Sequence, residues 1–227
     1  MRALSRLLDL ILPLRAHARL VRDADDGMLI ALSSQHRISP YIRALFAYRE
    51  PLVRAAILEA KFKANPRAER LLAEALRAYL TLLIKERSSP LVLVPVPLSQ
   101  ERLRERGYNQ VERIARRALA RPIPGISLDH RLVIRTRATL PQTTLSGAER
   151  RRNVACAFQA TRPPDPAHTY IVLDDVTTTG ATLEAAMAAL RAAGAQNVSG
   201  LALAHQGRNA KVSPVGDVAE WSKVPHC

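Results

Sequence analysis

The chain has 227 residues, of which 48% are apolar, and this length and composition predict one globular domain with a small appendage. Wholesale disorder is excluded, because disordered chains combine high charge with few apolar residues. The two cysteines, Cys156 and Cys227, are too few for a disulfide framework or a four-cysteine zinc site.

The charge is strongly basic and unevenly distributed. The formal net charge is +14, and 29 of the 34 basic residues are arginines. Residues 100–153 carry 13 basic and 5 acidic side chains, a net of +8. Because guanidinium groups bind phosphate oxygens in a bidentate fork, this segment indicates contact with phosphate or nucleic acid. A solvated surface of an arginine-rich chain is the alternative interpretation.

The N-terminal 20 residues combine basic side chains with an apolar run. Asp9 interrupts this run, and Pro13 and Arg15 end it, so the pattern favours an amphipathic helix over a signal peptide. No stretch approaches the roughly 20 apolar residues that a membrane-spanning helix needs. We therefore expect a cytoplasmic protein without a membrane partner.

Helices and one buried strand are expected in the middle of the chain. Helical periodicity extends over 51–87 and is broken at Asn65–Pro66, and a further helix is expected over 108–120. Between them, the apolar run at 91–96 is typical of a strand buried in a parallel sheet. A short strand is expected at Val133 and Ile134.

The segment 170–205 reads as strand, loop, helix and strand. The strands are expected at 170–175 and 198–205, and the helix at 183–193 ends at Gly194. This βαβ pattern implies a parallel sheet. From Gln206 onwards the chain shows no periodicity, which indicates a loosely attached tail.

The strongest candidate site lies where the first of these strands ends. Asp174 and Asp175 come at its carboxyl end, where open α/β sheets bind ligands. Three threonines and Gly180 then lead into a helix N-terminus, which offers backbone N–H groups and hydroxyls to an anion. Carboxylates repel phosphate but suit ribose hydroxyls or Mg²⁺, so the pattern indicates a ligand with both ribose and phosphate. An Asp-Asp turn followed by a threonine-rich helix cap is the purely structural alternative.

The run VLDDVTTTGAT at 172–182 resembles the phosphoribosyl-pyrophosphate (PRPP) signature of type I phosphoribosyltransferases. The resemblance implies a parallel sheet flanked by helices, with Mg²⁺ bound through PRPP. It implies that Asp174 and Asp175 hold the ribose 2′- and 3′-hydroxyls. The implied 5′-phosphate loop consists of Thr177, Thr178, Thr179, Gly180, Ala181 and Thr182.

Two further blocks are similar to the ComF branch of that family. They are VPVPLSQERLRERGYNQ at 94–110 and PQTTLSGAERRRNVACAF at 141–158. In the first block the resemblance implies a pyrophosphate loop, formed by Arg106, Gly107, Asn109 and Gln110. Arg106 joins the two aspartates as a predicted catalytic residue, since a leaving pyrophosphate needs a cationic lining. A solvated helix face is the alternative for Arg102, Arg104 and Arg106.

The second block contains three consecutive arginines, Arg150, Arg151 and Arg152. They are predicted to form a lid over the site or to contact nucleic acid, and a plain surface run is the third interpretation. ComF relatives commonly begin with a four-cysteine zinc module, whereas no cysteine precedes Cys156 here. We therefore predict a metal-free module with a helical character at 1–44, a phosphoribosyltransferase-like domain at 45–205 and a tail at 206–227.

Two functions remain open from the sequence. The first is a phosphoribosyltransferase that binds PRPP, or a related ribose phosphate, with Mg²⁺ and releases pyrophosphate. The second is a non-catalytic competence factor that binds single-stranded DNA or other competence proteins and retains the PRPP site. The sequence names neither the acceptor nucleophile nor the oligomeric state.

Overall fold

The structure, a computed structural model, describes residues 16–34, 36–136 and 157–207 and the backbone of 211–212. Its helices are α1 (16–23), α2 (Met28–Ala31), α3 (Pro51–Lys63), α4 (Pro66–Lys85), α5 (Gln100–Arg106), α6 (Gln110–Ala118) and α7 (Ala181–Ala192). Its strands are β1 (His36–Ser39), β2 (Ile42–Ala47), β3 (Leu91–Pro95), β4 (Ile126–Leu128), β5 (Val133–Arg135), β6 (Phe158–Ala160), β7 (Thr169–Thr177), β8 (Asn197–His205) and β9 (Lys211–Val212).

Seven of the strands form one sheet in the order β4-β3-β7-β8-β2-β1-β9. The five strands from β4 to β2 are parallel, and β1 and β9 extend the sheet with antiparallel pairs. Strands β5 and β6 form a separate antiparallel pair. The expected α/β fold with a mostly parallel sheet between helices is confirmed, and it is consistent with a type I phosphoribosyltransferase-like fold.

Two apolar cores lie on the two faces of the sheet. One core joins α3, α4 and α6 to strand residues such as Ile171 and Leu173. The other joins α7 to residues such as Tyr170 and Val172. Successive residues of a strand point to opposite faces, so β7 contributes to both cores. None of the helices in the described parts of the chain is both long and apolar enough to cross a lipid bilayer.

The predicted helix boundaries are explained by local capping. α3 ends before Ala64, whose φ is +48°, and the side chain of Asn65 then accepts hydrogen bonds from the first N–H groups of α4. The helix expected at 108–120 begins only at Gln110, because Asn109 caps it in the same way. Gly107, with φ +75°, ends α5, and Gly194, with φ +110°, follows the end of α7 as expected.

Parts of the expected N-terminal module and of the expected C-terminal tail belong to the central sheet. The division after residue 44 falls inside β2, which pairs in parallel with β8 in the central sheet. In the expected tail, Lys211–Val212 pairs with β1 through His36 and Arg37. Residues 1–15, most of the expected N-terminal amphipathic helix, and residues 213–227 lie outside the described residues.

Candidate functional site

The two aspartates lie at the carboxyl edge of the parallel sheet. β7 is flanked by β3 and β8, and Asp174 and Asp175 follow directly after the last pair that β7 forms with β3. β7 and β8 stay paired a little further, as far as Thr177 and His205. Asp175 is only 7% exposed and lies on the α3 and α6 side, whereas Asp174 is partly exposed. Strand alternation therefore gives the neighbouring carboxyl groups different surroundings.

Asp175 is held by three donors. Its Oδ2 lies 2.9 Å from Lys61 Nζ and accepts a hydrogen bond of 2.7 Å from Gln110 Nε2. Its Oδ1 accepts one of 2.7 Å from the backbone N–H of Val176. Burial acts to raise the pKa of Asp175, but Lys61 and these hydrogen bonds outweigh it and hold the pKa below its usual range. Asp175 is therefore ionised at neutral pH.

Asp174 has the opposite electrostatic character. Burial and the adjacent negative charge of Asp175 together raise the pKa of Asp174 to about 7. Its Oδ1 accepts a hydrogen bond of 2.8 Å from the N–H of Asp175. Asp174 acts on the charge of Arg135 of β5, and Arg102 of α5 acts on Arg135 as well. At neutral pH the two aspartates therefore share between one and two negative charges, with cations on both sides.

The segment after the aspartates folds into a tight loop before α7. The Thr177 hydroxyl oxygen accepts a hydrogen bond of 2.9 Å from the N–H of Gly180. Thr178 and Thr179 are exposed, and Thr182 is partly exposed in the first turn of α7. The N–H groups of a first helical turn have no partner within the helix, so this end of α7 can bind an anion.

Gly180 is required at its position in this loop. Its φ is +85°, a left-handed conformation that favours glycine. A Cβ atom at this position would lie 2.8 Å from Ile42 Cδ1. The close approach of β2 and the backbone conformation therefore both exclude larger residues.

The end of β8 supports the same loop. His205 Nε2 lies 3.0 Å from the carbonyl oxygen of Thr178, so this nitrogen donates its proton to the carbonyl. Gln206 N–H donates to the carbonyl oxygen of Thr177 at 2.8 Å. These two hydrogen bonds tie the threonine loop to the neighbouring strand.

The GYNQ segment at 107–110 joins α3 to the sheet edge. The Tyr108 hydroxyl lies 2.9 Å from the carbonyl oxygen of Ala60 and accepts from Ala64 N–H at 3.0 Å, which holds the end of α3. Asn109 Nδ2 donates to the carbonyl oxygen of Val96, directly after β3, while its Oδ1 caps α6. In this structure Tyr108 and Asn109 bond to backbone groups, and Gln110 bonds to Asp175.

Arg106 is linked to the aspartates through Gln110. Its Nη1 donates to Gln110 Oε1 at 3.3 Å, and Gln110 in turn donates to Asp175. The Arg106 guanidinium also lies over the ring of Phe62, 5.4 Å from the ring centroid. The structure thus places Gln110 in contact with Asp175 and Arg106 in contact with Gln110. Arg150, Arg151 and Arg152 lie outside the described residues.

Sequence reasoning missed Lys61, Arg135 and His205. Lys61 could have been noticed in the sequence, because it is one of only five lysines among 34 basic residues. A lysine in an arginine-rich chain suggests a site that needs a compact point charge. His205 could have been noticed as well, since it ends a predicted parallel strand beside the aspartates. Arg135 had no signal, because its proximity to Asp174 depends on the packing of a distant strand.

Asp174 suits a magnesium ion that arrives with a phosphate ligand. No group of three or more His, Cys, Asp or Glu side chains suited to a metal occurs in the described ranges. Mg²⁺ keeps several waters and takes one or two carboxylates together with substrate phosphates. Asp174, a partly exposed carboxylate beside an anion-binding loop, fits this kind of coordination, whereas both oxygens of Asp175 already accept hydrogen bonds within the protein.

The chain is similar to curated proteins from several bacteria. It is 40% identical over 91 residues to DNA utilization protein YhgH of Escherichia coli K12, covering 40% of this chain and 39% of the relative. It is 35% identical over 143 residues to YhgH of Salmonella typhimurium, covering 60% and 59%. It is 33% identical over 111 residues to Competence protein F of Haemophilus influenzae, covering 48% of each.

The ComF resemblance is confirmed by these relatives. The chain spans between about two fifths and three fifths of the length of the ComF relatives it matches. No family model matches the sequence. The names of the relatives associate the ComF family with competence and DNA utilization.

Proposed function

We propose that this ComF protein binds PRPP, or a related ribose phosphate, together with Mg²⁺ at the end of β7. The carrying observation is that two carboxylates and an anion-binding loop lie within seven residues, 174–180, at one edge of the sheet. A ligand that meets both must carry hydroxyl donors and a phosphate at a fixed separation. A ribose 5-phosphate unit meets this requirement.

The surroundings of the two aspartates suggest different tasks for them. Asp174 is partly exposed and is the better placed of the two to accept a hydrogen bond from a ribose hydroxyl. Asp175 already accepts bonds from Lys61 and Gln110, so we infer that it holds this end of β7 in place and contributes negative charge to the site. Thr178, Thr179 and the first turn of α7 would bind the 5′-phosphate.

The proposed reaction is phosphoribosyl transfer. The bond between the anomeric carbon and the pyrophosphate breaks, the pyrophosphate departs with the bonding electrons, and an acceptor nucleophile bonds to the anomeric carbon. Mg²⁺ held with PRPP beside Asp174 would neutralise charge on the departing pyrophosphate. Arg135, on whose charge Asp174 acts, and Arg102, which acts on Arg135, would stabilise the same charge. Catalysis would otherwise come from positioning.

A thermal-shift assay tests the binding proposal. We expect PRPP with Mg²⁺ to raise the Tm, because saturation at 100 times Kd adds about 2.7 kcal/mol to the stability of the folded state. Asp174→Asn should reduce the shift, and the double variant Asp174→Asn with Asp175→Asn should abolish it. Circular dichroism establishes that each variant is folded. A wild-type protein whose Tm is unchanged by millimolar PRPP and Mg²⁺ would contradict the proposal.

A second candidate function is binding of single-stranded DNA during DNA uptake or utilization. It is favoured by the net charge of +8 over residues 100–153 and by the names of the relatives. Binding through phosphates should weaken steeply with salt, since each neutralised phosphate releases counterions. The two functions are compatible, because a protein whose partner is DNA can retain an intact ribose-phosphate site.

A further inference from the structure

An exposed aromatic ring lies next to the aspartates. Phe62 is 57% exposed at the end of α3, whereas the other large apolar side chains of this helix are buried or partly buried. The preceding residue, Lys61, bonds to Asp175 at 2.9 Å. A single exposed apolar residue needs no explanation by itself, but this one lies at the rim of the candidate site.

Arg106 connects this ring to the site. Its guanidinium lies over one face of Phe62 at 5.4 Å, and its Nη1 donates to Gln110, which donates to Asp175. The Tyr108 hydroxyl fixes the end of α3 through Ala60 and Ala64. Phe62 is therefore held from two directions and remains more than half exposed. We call Phe62 and Arg106 the aromatic shelf.

Two exposed cations flank the residues of the aromatic shelf in the chain. Lys63 follows Phe62 by one residue, and Arg102 lies on α5 with Arg106. Both are exposed and form no ion pair with the acids that the structure describes. Arg102 is one helical turn from Arg106 and acts electrostatically on Arg135, so the cations extend from the shelf towards Asp174.

We propose that the aromatic shelf stacks an unpaired base of single-stranded DNA whose phosphates contact the cations of α5. Proteins that bind single strands combine an aromatic platform with a basic groove. An apolar protein partner would require a contiguous apolar patch, whereas the neighbours of Phe62 in the chain and over its ring are cations. The inference rests on the second candidate function. It adds a residue that stacks on the base, at the rim of the ribose-phosphate site.

The test uses two labelled strands of equal length, oligo(dT) of 15 nucleotides and an abasic strand with the same number of phosphates. Fluorescence anisotropy measures Kd for the wild type and for Phe62→Ala, Phe62→Trp and Leu82→Ala. We expect Phe62→Ala to weaken oligo(dT) binding about tenfold, as stacking of one base predicts, and to leave abasic binding unchanged. Phe62→Trp retains the preference for bases. Leu82→Ala, which removes an exposed apolar side chain from α4, has no effect.

The outcomes separate this inference from the proposed functions. Equal oligo(dT) affinity of the wild type and Phe62→Ala overturns the aromatic shelf alone. A wild type that binds neither strand at low salt overturns both the shelf and the DNA function. The PRPP assay reports on the ribose-phosphate site independently, because it contains no nucleic acid. If Phe62→Ala does not fold, Phe62→Leu replaces it in the assay. A Phe62→Leu protein that no longer prefers oligo(dT) to the abasic strand supports the proposal, and one that keeps this preference contradicts it.

Discussion

The two faces of the sheet differ sharply at the end of β7, although each receives an aspartate from the same strand. On the α3 and α6 face, Asp175 is buried and bonded to Lys61 and Gln110. On the other face, Asp174 is partly exposed and has a pKa of about 7. One face therefore supplies a fixed internal charge, whereas the other supplies a carboxyl group that a ligand can reach.

The difference arises from the placement of cations. Lys61 contacts Asp175 directly, so the ionised form of this carboxylate is the stable one. Asp174 then experiences both burial and the charge of its neighbour, which disfavour its own ionisation. On the other side, Asp174 acts on the charge of Arg135, and Arg102 acts on Arg135 in turn. A polyanionic ligand bound there would meet these two cations.

Among variants that probe the difference between the two faces, Lys61→Met is expected to change the free energy of unfolding most. Removal of the cation leaves Asp175 buried without its ion pair, which costs about 3 kcal/mol in free energy of unfolding. Urea denaturation measures the loss. Lys63→Met is the matched control, because Lys63 is exposed on the same helix and pairs with none of the described acids. A Lys61→Met protein as stable as Lys63→Met would break the distinction between the two faces.

A smaller effect, of opposite sign, is expected from Asp174→Asn. The pKa of Asp174 is raised on folding, so the folded state binds more protons and the wild type loses stability as pH rises from about 4 to 7. Asparagine removes this loss. We expect the variant to exceed the wild type by at least about 1 kcal/mol at pH 8, with the difference vanishing near pH 4.

Asp175→Asn provides the contrast in the same experiment. The pKa of Asp175 is lowered on folding, so its stabilising contribution is present above pH 4 and is lost as pH falls through the folded pKa. This variant should be less stable than the wild type at pH 8, and the gap should close in acid. Identical pH profiles for the two variants would contradict the assignment of opposite roles.

Local patterns predicted the backbone of the site well. The apolar runs at 91–96, 170–175 and 198–205 became β3, β7 and β8, because buried parallel strands require continuous apolar sequence. The position of Asp174 and Asp175 at a sheet edge and the glycine in the loop before α7 also followed from the sequence. The relatives support the ComF resemblance, which the three blocks had indicated.

Long-range contacts were beyond the sequence. Adjacent aspartates look equivalent in a sequence, and only the packing of α3 against the sheet edge brings Lys61 to one of them. Arg106 is linked to the aspartates through Gln110 and stacks on Phe62, 44 residues earlier in the chain. Such contacts depend on how helices pack, and no periodicity encodes that pairing.

Calorimetric titration of PRPP and Mg²⁺ into the wild-type protein at pH 6 and pH 8 tests the central claim most directly. We predict saturable binding at one site that is tighter at pH 8, because Asp174 is then ionised and accepts the ribose hydroxyl more strongly. The gain between pH 6 and pH 8 should be smaller in Asp174→Asn, which separates the aspartate from titration of the ligand phosphate. No saturable binding at either pH by the folded wild type would contradict the account.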